Sequence, residues 1–139
     1  FLENYTEDNT GVLTKTMFHG WNAGALSTNR LKANTNGRLL YVYTGGEIRY
    51  FMLGLSEYNE VATYQSIQHR LYLRDGNAVG NPILYPVVSG DTIIIERQDS
   101  LIFYRLHDLN GAQHIIKTEA TDTIAFFVLW LNFENAGVL

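Results

Sequence analysis

At three places in this chain an aromatic ring is followed directly by an amide: Trp21 by Asn22, Tyr58 by Asn59, and Tyr64 by Gln65. A flat ring can stack on the C–H face of a sugar, while amides and guanidinium groups beside it fix the hydroxyls by paired hydrogen bonds. Over residues 66–74, Ile67, His69, Leu71 and Leu73 alternate with Gln68, Arg70, Tyr72 and Arg74, which is the period of a strand with one apolar and one polar face. The candidate ligand-binding set is therefore Trp21, Asn22, Tyr58, Asn59, Tyr64, Gln68, Arg70 and Tyr72, and the ligand those groups suit is a carbohydrate or cell-surface glycan. Competing structural roles are plain for two of these groups: Trp21 suits the plug of a sandwich end, and the 68–72 face suits solvent or a neighbouring domain.

Other chemistries find less support. Asp75, Asn77, Asp91, Asp99, Asp108, Asn110 and Asp122 all fall near turn signals and carry the oxygens calcium prefers, so calcium stands as a candidate ligand, without a D-x-D-x-D spacing to fix it. Aspartate is also a common turn residue for conformational reasons. The four histidines, His19, His69, His107 and His114, show no zinc-binding spacing, and His69 between Ile67 and Leu71 reads as a hydrogen-bonded core histidine. Hydrolysis of a glycoside would need two carboxylates facing across a cleft; Glu47, Glu57, Glu60, Glu96 and Glu119 are available. No nucleophile-elbow, phosphate-loop or dinucleotide motif accompanies them, so the expectation is a non-catalytic protein with no assigned catalytic residue and no required cofactor.

Composition narrows the class. The 139 residues are enough for one domain with its own core, spanning 1–139. Absence of cysteine removes disulfides, thiolate metal sites and thiol nucleophiles together. Ten basic against fourteen acidic residues give a net charge of −4 with no basic run, which argues against nucleic acid and anionic membrane surfaces as partners. The apolar run 124–131 is too short to cross a bilayer as a helix, so membrane insertion is not expected. The chain begins at Phe1, as an excised domain or mature segment of a larger protein would.

The elements that must position the candidate residues read as strands. Residues 12–17 form a first strand, and 18–29 read as a structured loop or short edge strand. Residues 38–44 and 47–56 read as a hairpin closed by Gly45-Gly46, and both faces of 47–55 look covered. A polar loop, 56–64, leads to the strand 66–74. After the turn Asp75-Gly76-Asn77, the segment 78–85 reads as an edge strand because Pro82 and Pro86 cannot donate to a ladder. Strands follow at 92–97, 101–106 and 113–118, the last two joined through Asn110-Gly111. The run 124–133, apolar on both faces, reads as an interior strand. No segment carries a sustained helical period with caps. Nine or ten short strands with frequent turns predict an all-β, antiparallel two-sheet β-sandwich.

Three stretches, GWNAGALST (20–28), GLSEYNEVATYQSIQHRLYLRDG (54–76) and GDTIIIERQDSLIFYRLHDLNG (90–111), together with the closing FFVLWLNFENAGVL, resemble the concanavalin A-like lectin/glucanase-type domains of large bacterial surface and secreted proteins. The resemblance runs from residue 12 to the end and implies a jelly roll, an extracellular or cell-surface setting, and a glycan held by loops or by the concave sheet face. Arg70 departs from the small residue usual at its position, and 106–109 lengthens the run before Asn110-Gly111. Lectin-like modules of this kind serve adhesion and carbohydrate binding, and also assembly. Two functions thus stand: a carbohydrate-binding recognition module, or a structural module of a surface filament, adhesin or phage fibre that contacts neighbouring domains or chains and binds no sugar.

Overall fold

A computed structural model describes the backbone of residues 2–3, 5–7, 13–15, 23–45, 50–57, 67–122, 126–132 and 137–138, and the side chains of 26–45, 50–57 and 67–122. In chain order the strands are β1 (Leu2–Glu3), β2 (Tyr5–Glu7), β3 (Leu13–Lys15), β4 (Ala23–Leu31), β5 (Gly37–Val42), β6 (Tyr50–Ser56) and β7 (His69–Arg74). They continue as β8 (Asn77–Val79), β9 (Leu84–Pro86), β10 (Thr92–Gln98), β11 (Leu101–His107), β12 (Gln113–Ala120), β13 (Phe126–Asn132) and β14 (Gly137–Val138). No helix occurs among the described residues, and every strand pair is antiparallel.

A seven-stranded sheet runs β1-β4-β13-β6-β7-β8-β9 and a four-stranded sheet runs β12-β11-β10-β5; β14-β3-β2 form a small third sheet. The two larger sheets meet face to face because each presents alternate apolar residues to the other. Phe51, Leu53, Leu55, Leu71, Leu73 and Ala78 come from the first; Leu39, Ile93, Ile95, Ile102, Tyr104, Leu106 and Ile116 come from the second. Leu53, Leu71, Leu73, Ile93, Ile95 and Ile102 are fully buried. Tyr41 meets Phe51 edge-on across the layers, with ring centroids 5.4 Å apart. This is the β-sandwich that the turn spacing and strand periods predict.

Several local expectations need correction. Residues 38–44 and 47–56 are not a hairpin: β5 pairs with β10 and β6 with β13 and β7, in different sheets. The inward residues Leu39 and Phe51 belong to one core, so the chain gains more by crossing between layers than by pairing within one. Gly45 still serves as a turn residue at φ 66°, and its neighbours bond the 89–91 turn, Gly90 N donating to Tyr43 O at 2.8 Å. The 18–29 segment, expected as loop or short edge, contributes instead to the nine-residue β4, which lies between β1 and β13. Residues 78–85 split into β8 and β9 around a cis Asn81–Pro82 bond, with β9 at the sheet edge as the prolines require. The ragged N-terminal stretch supplies two short strands.

Other expectations hold. The alternation of 66–74 places Ile67, Leu71 and Leu73 in the interior and leaves Arg74 exposed. The β13 strand is interior, flanked by β4 and β6, with Trp130 in register with Leu53. Replacing Leu53 by Ala should cost about 2–5 kcal/mol, since Leu53 is fully buried between the sheets. Urea denaturation checks this, and a loss below about 1 kcal/mol would contradict a close-packed inter-sheet core.

Candidate functional site

The 56–64 loop leaves β6 and returns to β7, and an open cleft of about 340 Å³ lies at its base, lined by Glu57, Gln68, His69, Ala120, Thr121 and Asp122. Two strand ends build it. Glu57 follows β6 and Gln68 precedes β7, and they clasp each other: Glu57 N donates to Gln68 Oε1 and Gln68 Nε2 donates to Glu57 Oε1, both at 3.0 Å. The opposite wall follows β12, where Thr121 N donates to Ser100 O in the β10–β11 turn at 2.9 Å. Gly54 on β6 allows the close approach of β7, because a Cβ there would collide with the His69 carbonyl.

His69 is fixed from behind. Its Nδ1 lies 3.0 Å from Glu119 Oε2, and a carboxylate acceptor requires the proton on Nδ1, which leaves Nε2 of the neutral ring an acceptor. Tyr104 Oη donates to the same oxygen at 2.8 Å, and Lys117 Nζ donates to Glu119 Oε1 at 2.7 Å and to Arg70 O at 2.6 Å. The Lys117 ammonium also sits 4.3 Å from the Tyr104 ring centroid. A register shift between Tyr104 and Arg105 makes this possible: Ile116 is the extra residue, so Lys117 pairs with Tyr104 and Glu119 with Ile102, on the inward side. Four side chains from three strands thus join the two sheets at the rim of the core.

The electrostatics follow from that geometry. Burial by itself would raise the Glu119 pKa, but hydrogen bonds from His69, Lys117 and Tyr104 and the Lys117 charge together hold it down to about 2 from 4.5. Burial first, and then the Glu119 charge, raise the Tyr104 pKa, so the phenol remains a donor. Glu119 is consequently a fixed anion, the reverse of what a general acid at neutral pH requires.

Of the expected binding residues, Gln68 lines this cleft. Arg70 and Tyr72 are half-buried on β7, and Arg70 Nη1 donates to Ile67 O at 3.2 Å, so its guanidinium braces the strand entry. Trp21, Asn22, Tyr58, Asn59 and Tyr64 lie outside the described residues. The sequence reading took His69 as a core histidine, and it is a hydrogen-bonded one whose ring also reaches the cleft wall. Thr121 and Asp122 were missed as cleft residues because nothing in a sequence brings the end of β12 beside the start of β7.

The turn aspartates are engaged with backbone. Asp91 accepts from Val88 N at 2.9 Å and Leu109 N at 3.0 Å, and Asp108 Oδ1 accepts from Asn110 N and Ala112 N, both at 2.9 Å. Among the described residues no three histidine or acidic side chains stand close enough to share a metal ion.

Stability should report the Glu119 network. Its carboxyl has a lower pKa folded than its ordinary 4.5, so the unfolded chain binds the proton more readily. The contribution is present above pH 4.5 and is lost as pH falls towards 2. Glu119→Gln should flatten this part of the profile of urea midpoint against pH; an unchanged slope would show that other groups set it. A scan against protein-family models and a search of curated proteins find no match for this chain.

Proposed function

We propose that this chain is a non-catalytic recognition module that binds carbohydrate, built as a concanavalin A-like jelly roll of an extracellular or cell-surface bacterial protein. The observation that carries the reading is the cleft between the end of β6 and the start of β7, where the Gln68 amide and the His69 imidazole are held in place before any ligand arrives. Fixed polar groups suit a polyhydroxyl ligand because little rotamer freedom is lost on binding. Tyr58, Asn59 and Tyr64, in the segment that joins those two strands in sequence, supply the rings and amide that a sugar face and its hydroxyls need. The low pKa of Glu119 supports binding over acid-base chemistry there.

A second reading, an assembly module within a filament, adhesin or fibre, draws on the outer face of the four-stranded sheet. There Leu40, Ile94, Arg105 and Ile115 form one cross-strand row, with Leu40 52% and Ile115 57% exposed and Val42 nearby at 56%. Ile94 is buried and Arg105 is paired with Glu96, so the exposed apolar residues stand at the two edge strands of the sheet, where a neighbouring chain could cover them.

A glycan array probed with the chain, once with calcium and once with chelator, separates the two. Saturable binding to a defined glycan is the expected result, and Gln68→Ala should weaken it about tenfold or more, with a loss of about 1–3 kcal/mol in stability because the two hydrogen bonds of the Glu57 clasp go with it. Loss of binding in chelator would bring a cation into the site. Absence of binding in both conditions would overturn the recognition reading and leave the assembly reading, for which sedimentation of the chain with its parent assembly is the test.

A further inference from the structure

A second groove, distinct from the loop cleft, lies beside the end of β4. It has a volume of about 650 Å³ and is lined by Thr28, Asn29, Arg30, Lys32 and Ala33. A smaller adjoining cleft of about 240 Å³ shares Asn29 and Arg30 and adds Arg38. Three of the chain's ten cationic residues therefore fall within positions 30–38 and converge on one place in a protein whose net charge is −4. Glu96, which pairs directly across the ladder from Arg38, is bound by Arg105 and does not offset that charge.

The groove has a structural origin. Opposite β13, Phe127 pairs with Arg30 but Leu129 with Leu26, so Ser27, Thr28 and Asn29 stand against Val128 alone. Such a bulge bends the strand and re-aims its side chains, a device common at the edges of binding sites. Ser27 Oγ donates to Asn29 O at 2.7 Å within it.

The following turn is also held. Arg97, 1% exposed, donates through Nε to Thr35 O at 2.8 Å and through Nη2 to Lys32 O, and Thr35 Oγ1 donates to Lys32 O at 2.7 Å. Asp99 N donates to Asn36 Oδ1 at 2.7 Å, while Asn34 takes the left-handed conformation at φ 55°. The backbone that carries Lys32 is thereby set before a ligand binds.

We propose that this groove binds an acidic saccharide, one bearing carboxylate or sulfate groups. Arg30, Lys32 and Arg38 supply charge-assisted bonds to the anion, and the guanidinium forks can take a carboxylate or sulfate edge by two bonds at once. Thr28 and Asn29 supply the hydroxyl and amide that sugar hydroxyls need. Among the described residues no aromatic ring lines the groove. The inference does not depend on the loop cleft, whose ligand is read by Gln68→Ala.

The test measures binding of the intact chain to polygalacturonate, dextran sulfate and neutral dextran at low and at physiological ionic strength. Expected are binding to at least one acidic polymer, weakening with salt, and no binding to dextran; preference between the two polyanions tells carboxylate from sulfate. The Lys32→Ala/Arg38→Ala double variant should bind at least about tenfold more weakly with its melting temperature kept, since two charge-assisted contacts are removed from an exposed surface. Arg74→Ala, which removes an exposed cation on β7, should bind as the unaltered chain does. The proposal is overturned by equal binding to neutral dextran, by equal losses in the double variant and Arg74→Ala, by an unaffected double variant, or by no polyanion binding at low ionic strength.

Discussion

Burial of two facing apolar surfaces is the constraint on which the other features of this protein depend. Each sheet presents leucine, isoleucine and aromatic side chains on one face only, and neither can hide them except against the other. Fully burying one such side chain is worth roughly 1.5–3 kcal/mol, so the fully buried leucines and isoleucines together outweigh any single polar contact among the described residues. The same pressure explains why the chain crosses between sheets after β5 instead of closing a hairpin around Gly45. Leu39 and Phe51 reach one core from opposite layers.

Polar side chains then fix what apolar packing leaves free. Glu119, surrounded by His69, Tyr104 and Lys117, ties the ends of β7, β11 and β12 together at one rim. Arg97 holds the β4–β5 connection at another, and Asp122 supports its charge against the burial that lowers its pKa. The half-buried Glu119 and the buried Arg97 each sit beside a surface cleft. The groups that order the fold are therefore also those that set the cleft walls, and rigidity there is gained without a disulfide or a metal ligand set among the described residues.

The two clefts differ in chemistry in a way that follows from the strands bordering them. At the base of the 56–64 loop the walls carry carboxylates, an amide and an imidazole. Beside β4, a strand bulge turns Thr28 and Asn29 towards cations contributed by the 30–38 segment. Three cations of an acidic protein thus gather around this groove.

By itself the sequence determined the fold class and much of the strand order of events along the chain. Period-two alternation at 66–74 identified the buried face of β7, doubly apolar 124–133 identified an interior strand, and Pro82 and Pro86 marked an edge; each is a local rule that acts within a few residues. It also marked the polar run that separates β6 from β7. Tertiary structure alone decided the rest. The Ile116 register shift that turns both Lys117 and Glu119 inward has no sequence signal, since it depends on how β12 meets β11. Pairing of β5 with β10, the placement of Thr121 and Asp122 beside Gln68, and the gathering of Arg30, Lys32 and Arg38 around one groove all bring together groups through layers and ladders. Such neighbours are chosen by burial of the whole core, a long-range condition that no window of sequence contains.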